Sequence, residues 1–476
     1  MSNNRPNNWR PGKSASDRAR RLVFEVLIRV ATEDAYANLI LPKSLNRGNF
    51  SKQDAAYATN LCYGTLRLQG RWDAIIVGCT SGRPLSEIDL PVLVLLRMGV
   101  HQLLEFGTPA HAAIYETVTL ARNEIGSGAS GFVNAVLRRV SERSLTQWRE
   151  YVREQSGGNY GSVAFLAKWF SHPEWVVRGL INSLKANGRS AKDIISVLKA
   201  DNTPSEVALV ARDIKISDLK LDIEKGKMTH QPGKLISSSL LLTRGDPGRI
   251  FAVQDKLAGV QDEGSQLISR LFTAAAVETP DRRWLDMCAG PGGKSATIAA
   301  IAAQRGAQVF ANELHPHRLR LVSQAIDPWA DLVALREGDG REIGAEEPES
   351  YDRILIDAPC TGIGALRRRP EARWRKEAGD ALDLAKLQLE LLESGWKALQ
   401  KGGILLYSTC SPYLPETHEI IAKFMSRRED AHLLNAAKIA NSFTKVKLTS
   451  NTEMLQLWPD EHASDAMFAA VIKKIK

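Results

Sequence analysis

The chain has 476 residues, of which 25% are charged and 44% hydrophobic, as is typical of a globular protein with a sizeable core. Lys and Arg exceed Asp and Glu by 63 to 54, so the formal net charge is +9, which favours polyanionic partners. The N-terminus lacks the apolar core of a signal peptide, and apolar runs elsewhere are too short for a membrane span. We therefore expect a cytoplasmic protein without a membrane partner, and we exclude secreted and fibrous classes.

The five cysteines are scattered and form no CxxC pair. This spacing predicts free thiols in a reducing compartment, with neither a disulfide framework nor a metal site. Residues 1–15, rich in Asn, Pro, Arg and Ser, are predicted to be a disordered basic tail.

Residues 16–144 carry apolar side chains at three- and four-residue spacing, which predicts an all-α bundle. Ser51 is a predicted helix N-cap. The predicted helices are Asp17–Thr32, Ser51–Leu68, Asp89–Glu105, Ala110–Asn123 and Gly131–Val140. Residues 145–260 give mixed signals, with a helix near Trp175–Ala186 and a short strand at Val207–Ala211, and predict a small α+β connector.

From residue 261 to 476 strand-like runs alternate with helical ones, which predicts a doubly wound, mainly parallel, Rossmann-like α/β sheet. Such sheets bind ligands beyond the carboxyl ends of their strands. The predicted strands are Trp284–Met287, Gln308–Asn312, Leu332–Arg336, Arg353–Ile356 and Ile404–Ser408, and the predicted helices are Ser295–Arg305, Pro316–Ala325 and Asp383–Leu399.

A glycine-rich segment, Asp286–Ser295, lies between a predicted strand and a predicted helix. Its glycines allow a ligand to approach the backbone closely. It has neither P-loop nor GxGxxG spacing, which disfavours a nucleoside triphosphate or a dinucleotide. The predicted cofactor-binding residues here are Asp286, Cys288, Ala289, Gly290, Pro291, Gly292, Gly293 and Lys294.

Three further acids, Glu313, Asp339 and Asp357, follow successive predicted strands. Glu313 comes 23 residues after Gly290, about where a ribose-binding acid is expected. A crevice lined by carboxylates repels phosphates but suits S-adenosylmethionine, which carries ribose hydroxyls, an ammonium and a sulfonium. We therefore predict S-adenosylmethionine as the cofactor.

Cys360 and Cys410 both follow predicted strands, where a thiolate would face the ligand. Attack of a thiolate on carbon 6 of a pyrimidine makes carbon 5 nucleophilic enough to accept a methyl group, which is covalent catalysis. Lys294 would favour the thiolate, and Asp357 would hydrogen-bond a cytosine. Spacing leaves open which cysteine attacks.

A basic run, Arg367–Lys376, directly follows the Cys360 loop and contains Trp374. Arg and Trp side chains pair with phosphates and stack on bases, so this run is predicted to bind RNA. The predicted RNA contacts are Arg367, Arg368, Arg369, Arg373, Trp374 and Arg375, with Arg138 and Arg139 in the bundle.

Four motifs together resemble those of the bacterial Sun/Fmu-type (RsmB) ribosomal RNA cytosine-C5 methyltransferases: Cys288–Lys294, Tyr351–Gly362, Tyr407–Cys410 and Asp465–Ala469. Leu61–Arg67 and Gly131–Arg139 resemble the NusB-like RNA-binding domain of this subfamily. Gly290 and Ala466 depart from the usual Ala and Gly of the family motifs.

The resemblance implies a Rossmann-like methyltransferase domain that modifies a cytosine in 16S rRNA, with Cys410 as nucleophile and Cys360 assisting product release. By analogy with DNA cytosine methyltransferases, in which the Pro-Cys cysteine attacks, Cys360 would instead be the nucleophile. The resemblance also implies cofactor binding by residues 288–294, Glu313, Asp339 and Asp357.

The expected partner is 16S rRNA or a small-subunit assembly intermediate, and we expect a monomer. Three alternatives remain: a non-catalytic RNA-binding or antitermination-type factor, a methyltransferase acting on tRNA or another RNA, and an NAD-dependent oxidoreductase, which the absent GxGxxG spacing disfavours.

Overall fold

The computed structural model describes residues 18–33 and 35–475, so the predicted tail lies outside the described residues. The chain divides into two compact units. The first contains the described residues up to Val177 together with Arg368–Arg375, and the second contains Arg178–Arg367 and the described residues from Lys376 onward. The boundaries predicted near residues 144 and 260 stay predictions.

The first unit is helical, as the apolar spacing predicts. Its helices are α1 (Arg18–Thr32), α2 (Ala37–Gly48), α3 (Lys52–Arg67), α4 (Gln69–Cys79), α5 (Leu90–Leu104), α6 (Ala110–Glu124), α7 (Ser127–Ser141), α8 (Leu145–Glu154) and α9 (Val163–Trp169). Helix α5 is largely apolar and buries side chains on several sides, whereas α1 buries a single face. Ser51 caps α3 by accepting a hydrogen bond from the Asp54 amide at 3.1 Å, as predicted.

Two helices within residues 16–144, α2 and α4, have no counterpart among the predicted ones. Helix α2 contains Pro42, and proline is unfavourable in the interior of a helix. Helix α4 buries the polar Arg71 and exposes the apolar Val77. Pro42 therefore argues against a helix in the first segment, and the amphipathic spacing on which the prediction depends is weak in α4.

A small antiparallel sheet with flanking helices begins the second unit, and the predicted α+β character is confirmed. The strand predicted at Val207–Ala211 forms as predicted, and the sheet order is β2-β3-β1-β4. The elements are α10 (Glu174–Ala186), which starts in the first unit, α11 (Ile194–Asp201), β1 (Val207–Ala211), α12 (Ile216–Lys225), β2 (Thr229–Pro232), β3 (Ser239–Arg244), α13 (Phe251–Gln254) and β4 (Ala258–Val260).

A large mixed sheet follows, and all five predicted strands belong to it. Its elements are α14 (Glu263–Ala274), β5 (Arg283–Asp286), α15 (Gly293–Arg305), β6 (Gln308–Glu313), α16 (Pro316–Ile326), β7 (Val333–Glu337), α17 (Ile343–Glu346), β8 (Tyr351–Asp357), α18 (Ala378–Ala398), β9 (Leu399–Thr409), α19 (His418–Met425), β10 (Ala431–Leu434), α20 (Ala436–Ala440), β11 (Leu455–Gln456), α21 (Pro459–His462) and β12 (Phe468–Lys474).

The order of the large sheet predicts where a ligand crevice lies. The strands run β10-β12-β9-β8-β5-β6-β7, with β11 beside β12. Strands β5 to β9 pair in parallel, whereas β12 is antiparallel to β9. Because β5 pairs with β6 on one side and β8 on the other, the chain order reverses there, and the carboxyl ends of β5 and β8 border the crevice.

Apolar layers cover both faces of this sheet. One contains Leu267, Trp284 and Val309, and the other contains Leu285 and Trp396. Burial on both faces explains why β8 and β9 contain consecutive apolar residues, Ile354–Ile356 and Ile404–Tyr407, rather than alternating ones. Over residues 18–33 and 35–475, the helices are all too short or too polar to cross a lipid bilayer.

Candidate active site

The glycine segment forms a tight turn between β5 and α15. Gly292 has φ of +100°, and a Cβ there would lie 2.7 Å from the Cβ of Ala325, so a side chain is disfavoured for two reasons. The Gly290 amide donates a hydrogen bond to Glu313 Oε2 at 3.0 Å. A Cβ at residue 290 would lie 2.3 Å from that oxygen, so a side chain here would require the Glu313 carboxylate to shift.

Glu313 ends β6 and is nearly fully buried. Besides the Gly290 amide, it accepts a hydrogen bond from the His315 amide at 3.1 Å. Arg318 Nη1 lies 3.4 Å from Glu313 Oε1, and Arg318 Nη2 donates to the Gly290 carbonyl at 2.7 Å. The predicted ribose-binding acid is thus held directly against the glycine turn.

Asn312 joins the glycine turn to the loop that carries Asp339. Its side-chain amide donates to the Met287 carbonyl at 3.0 Å and to the Gly338 carbonyl at 3.1 Å. Asn312 is not among the residues predicted from the sequence, although its place at a strand end beside Glu313 is a usable signal. Asp339 itself accepts hydrogen bonds from Arg341, which lower the pKa of its carboxyl.

Asp286 lies at the end of β5 and is buried, with 1% of its surface exposed. Ser295 Oγ donates to its Oδ2 at 2.6 Å. Burial raises the pKa of Asp286 to about 7, although the Ser295 hydrogen bond acts in the opposite direction. The carboxyl therefore gains or loses its proton near neutral pH.

Lys294 and Asp357 form an ion pair between the first turn of α15 and the end of β8. The Lys294 Nζ lies 2.7 Å from Asp357 Oδ2, and both side chains are largely shielded from solvent. Burial alone would lower the pKa of Lys294, but the charge and hydrogen bond of Asp357 more than offset it, so the net shift is upward. The ammonium stays charged at neutral pH.

Cys360 and Cys410 come together in the fold, 50 residues apart in sequence. Their Sγ atoms are 3.5 Å apart. The hydrogen bond between them lowers the pKa of Cys410 and raises the pKa of Cys360. Burial raises the pKa of both, and Lys294 lowers that of Cys410 while Asp357 raises it. On balance Cys410 is the more acidic of the two thiols, and the thiolate is favoured there rather than at Cys360.

The remaining cysteines differ from this pair. Burial raises the pKa of Cys288, although this residue lies in the glycine turn. Cys62 and Cys79 are buried in helices α3 and α4, and burial raises the pKa of Cys79 to about 11. All three are therefore poor nucleophiles at neutral pH.

A buried carboxylate that the sequence analysis missed lies close to the two cysteine loops. Glu416 is fully buried in a 3₁₀ turn, Leu414–Glu416, that follows β9. It accepts hydrogen bonds from Thr361 and Ser411, the residues that directly follow Cys360 and Cys410. Glu416 follows Cys410 closely in sequence, but no local sequence pattern links it to the Cys360 loop.

The basic run does not form one exposed surface. Arg373, in the first unit, is fully buried and donates to the Arg67 carbonyl at 3.2 Å and to the Ser171 carbonyl at 2.7 Å. It stabilises the carboxyl end of α3, where carbonyl oxygens need donors. The interpretation of Arg373 as an RNA contact is therefore corrected, because its guanidinium is bound to the protein backbone.

Two other members of the run are also shielded to different extents. Arg367, in the second unit, has 7% of its surface exposed, so its assignment as a surface contact is likewise corrected. Arg375 is partly buried and donates to the Val30 and Ala35 carbonyls at 3.1 and 2.6 Å. These bonds satisfy carbonyl groups of the first unit, and RNA binding by Arg375 stays a prediction.

Three members of the run are exposed, namely Arg368, Arg369 and Trp374. In the bundle, Arg138 and Arg139 are exposed, although Arg139 donates to the Cys79 carbonyl at 2.8 Å. RNA binding by these five residues stays a prediction.

Among the described residues, no group of three or more His, Cys, Asp or Glu side chains is arranged to hold a metal ion.

Two family models match the chain. That of the 16S rRNA methyltransferase RsmB/F family covers residues 274–473, and that of the NusB family covers residues 17–142. A protein of Mycobacterium tuberculosis named as a methyltransferase is 40% identical over 471 residues, which is 99% of each chain. The "Probable ribosomal RNA small subunit methyltransferase B" of Bacillus subtilis is 30% identical over 469 residues, 96% of this chain and 98% of the relative.

Solved structures share the fold at lower sequence identity. The crystal structure of PH0851 superposes with a TM-score of 0.78 at 18% identity and covers 97% of this chain and 100% of the other. NSun6 from Pyrococcus horikoshii gives a TM-score of 0.52 at 16% identity, over 64% of this chain and 98% of its own.

Proposed function

This chain belongs to the 16S rRNA methyltransferase RsmB/F family, and we propose that it transfers a methyl group from S-adenosylmethionine to carbon 5 of a cytosine in 16S rRNA. The proposal depends on one observation above all. Cys410 carries a lowered pKa, lies 3.5 Å from a second thiol, and is influenced by the charges of Lys294 and Asp357. A thiolate among such neighbours is suited to attack a polarised carbon atom.

The residues around the glycine turn fit S-adenosylmethionine. Glu313 is held at the turn where ribose hydroxyls would be bound. Asp339 and Asp357 supply negative charge beyond neighbouring strands, and Asp286 adds a third acid at the end of β5. Gly293 has open space where a side chain would be, so the backbone at this residue can approach a ligand. When bound, this cofactor supplies an electrophilic methyl group. NSun6, a neighbour in fold, was solved with SFG, an analogue of that cofactor.

The chemistry assigned to the protein is thiol addition and elimination. The Cys410 thiolate forms a bond to carbon 6 of the cytosine, and the displaced electron pair makes carbon 5 nucleophilic. After carbon 5 has gained a methyl group, a base takes its proton, the electron pair restores the double bond between carbons 5 and 6, and the thiolate is released. Asp357 would hold the cytosine amine and ring nitrogen, and the Cys360 thiol would assist release of the product.

The RNA target is proposed to be unstacked when it enters the site, because both cysteines are partly buried and a base within a helix does not reach such atoms. The NusB-like helices and the exposed arginines would hold the RNA by its backbone. We further propose that the protein acts as a cytoplasmic monomer on 16S rRNA or a small-subunit assembly intermediate.

The experiment compares Cys410→Ala with Cys360→Ala in the full-length protein. Cys410→Ala should bind S-adenosylmethionine normally and lose methylation of 16S rRNA. Cys360→Ala should accumulate a covalent RNA–protein adduct, because attack by Cys410 remains while release is slowed. Methylation by Cys410→Ala at the normal rate would refute the assignment of the nucleophile.

A second experiment tests the substrate. Mapping 5-methylcytosine in cells with and without the protein should show one or more 16S rRNA positions that lose the modification. Loss confined to tRNA or another RNA would replace the proposed substrate. Failure of the wild-type protein to bind S-adenosylmethionine would favour a non-catalytic RNA-binding factor.

A further inference from the structure

Glu416 is a buried carboxylate that accepts hydrogen bonds from both cysteine loops. The Thr361 amide donates to its Oε1 at 2.7 Å, and Thr361 Oγ1 donates to its Oε2 at 2.6 Å. Ser411 Oγ donates to the same Oε2 at 2.6 Å. Gln388 Nε2, from α18, lies 3.4 Å from Oε1.

The partners of Glu416 are the immediate neighbours of the two sulfur-bearing residues. Thr361 follows Cys360 after β8, and Ser411 follows Cys410 after β9. A single carboxylate therefore holds both loops through hydrogen bonds to charged oxygen, which are stronger than neutral ones.

We infer that Glu416 is a positioning residue for the proposed methyl transfer: its carboxylate joins the Cys360 loop to the Cys410 loop and so sets the separation of the two sulfur atoms. The inference rests on the proposed function. It goes beyond that function by assigning a role to a residue outside the predicted site.

The cost of burying this carboxylate supports a specific role. Burial raises the pKa of Glu416, and the donors from Ser411 and Thr361 act in the opposite direction. A buried acid with such partners costs free energy unless its hydrogen bonds form together. Its charge also raises the pKa of Cys360, after the larger effects of the Cys410 hydrogen bond and of burial. Glu416 thereby helps to keep the proton of the pair on Cys360.

Two other contacts join the loops close to the sulfur-bearing residues. The Gly364 amide donates to the Cys410 carbonyl at 2.9 Å, and Thr361 Oγ1 lies 3.2 Å from Ser411 Oγ. The first link lies beyond Cys360 in the loop, and the second depends on hydroxyl groups that Glu416 itself orients.

The test compares Glu416→Ala and Glu416→Gln with Glu419→Ala, in which an exposed carboxylate is removed from the adjoining α19. In the full-length protein, Glu416→Ala should lower kcat for RNA methylation about 100-fold, since a shift of about 1 Å in a reacting group has an effect of that order. Its Kd for S-adenosylmethionine should stay within about twofold of normal. Glu416→Gln should retain activity within about tenfold, because its amide can still bond Thr361 and Ser411. Glu419→Ala should match the wild type.

A second readout reports the sulfur positions without RNA or cofactor. Diamide takes up the two thiol hydrogens as Cys360 and Cys410 are oxidised to a disulfide. The rate of this reaction should fall by about tenfold in Glu416→Ala, because the attacking sulfur loses its alignment, and be unchanged in Glu419→Ala. Since the rate does not depend on methylation, it still tests Glu416 if the wild-type protein fails to methylate RNA, an outcome that would refute only the proposed function.

Two results would overturn the inference. One is normal kcat and normal oxidation rate in Glu416→Ala, and the other is a loss of cofactor affinity as large as the loss of kcat. If Glu416→Ala does not fold, Thr361→Val and Ser411→Ala each remove one hydroxyl donor. Both should slow oxidation and methylation, and normal rates in both would equally overturn the inference.

Discussion

The Sγ atom of Cys360 lies 3.5 Å from the Sγ atom of Cys410, and the two thiols differ in acidity. Their shared hydrogen bond lowers the pKa of Cys410 and raises that of Cys360, so a thiolate forms more readily at Cys410. The analogy with DNA cytosine methyltransferases would choose Cys360 as the nucleophile. The hydrogen bond between the thiols and the nearby charge of Lys294 support the proposal that Cys410 attacks.

The short distance predicts that the pair can be crosslinked. A disulfide has an S–S length of about 2.0 Å, so the sulfur atoms need to approach by roughly 1.5 Å. Diamide should therefore form an intramolecular Cys360–Cys410 disulfide, abolish RNA methylation and leave the three other cysteines reduced. Peptide mapping by mass spectrometry identifies the bond, and dithiothreitol should restore activity. Oxidation that instead linked two protein molecules would contradict the distance.

The acidity of Cys410 predicts the pH dependence of its alkylation. Because the thiolate is the reactive form, a lowered pKa means that reaction with iodoacetamide reaches half its maximal rate at a lower pH than for an ordinary cysteine. Cys360→Ala removes the hydrogen bond and should move this midpoint to higher pH. Lys294→Met removes a positive charge and should do the same. Mass spectrometry of the labelled Cys410 peptide measures the rate at each pH.

The other charged groups near Cys410 act in the opposite direction. Asp357 and Asp465 both raise its pKa, so Asp465→Asn should move the alkylation midpoint to lower pH. A midpoint that falls in Cys360→Ala would show that the hydrogen bond runs from Cys410 to Cys360, contrary to the assignment of the thiolate.

Sequence alone predicts the parallel strands and the acids at their ends because both depend on local patterns. Strands β5 to β9 are apolar runs bounded by turns, and Asp286, Glu313 and Asp357 each end such a run. The direction of each strand then decides which end faces the ligand, so several distant residues can be assigned to one crevice before any distance is known.

Residues that depend on tertiary contacts could not be predicted in this way. Glu416 receives its partners from Thr361 and Ser411, and no spacing rule connects position 416 to position 361. Arg373 lies in a run whose charge predicts an exposed surface, yet it is buried because the carboxyl end of α3 needs donors. A run of charged residues in a sequence shows only which residue types are present. Whether one of them, such as Arg373, is buried depends on the backbone groups that the fold brings near it.

The raised pKa of Asp286 predicts that the stability of the fold changes with pH. Its folded-state pKa of about 7 is above the unfolded value of 3.8, so folding favours the neutral acid. The wild type should lose stability as pH rises from about 4 to about 7, by up to a few kcal/mol at about 1.4 kcal/mol per pKa unit. Asp286→Asn stays neutral and can still accept the Ser295 hydrogen bond, so it should avoid this loss.

The measurement is the thermal unfolding temperature from about pH 4.5 to about pH 8.5. The difference between Asp286→Asn and the wild type should grow with pH and level off above about pH 7. Asp255→Asn, at an exposed position, is the matched control and should differ little from the wild type. A difference that shrank with rising pH would mean that the fold stabilises the carboxylate. The same Asp286→Asn protein should bind S-adenosylmethionine more weakly if the acid contributes to the proposed cofactor site.

Because some of the basic residues are buried and others exposed, we expect that substitutions can change stability and RNA affinity separately. Arg373→Met removes two hydrogen bonds to buried carbonyl groups and should lower the free energy of unfolding by about 1–3 kcal/mol. Arg138→Gln and Arg369→Gln alter exposed side chains and should change the free energy of unfolding by less than about 1 kcal/mol. Urea denaturation of the three variants and the wild type measures these differences.

The effects of these substitutions on RNA binding should be in the opposite order to their effects on stability. If Arg138 and Arg369 contact phosphates of single-stranded RNA, each substitution should make the slope of log K against log salt shallower by about 0.7. Arg373→Met should weaken RNA binding only near its unfolding temperature and keep the slope of the wild type, because its guanidinium is bound to the Arg67 and Ser171 carbonyls. A shallower slope in Arg373→Met well below that temperature would show that this guanidinium leaves the carbonyl groups to bind RNA.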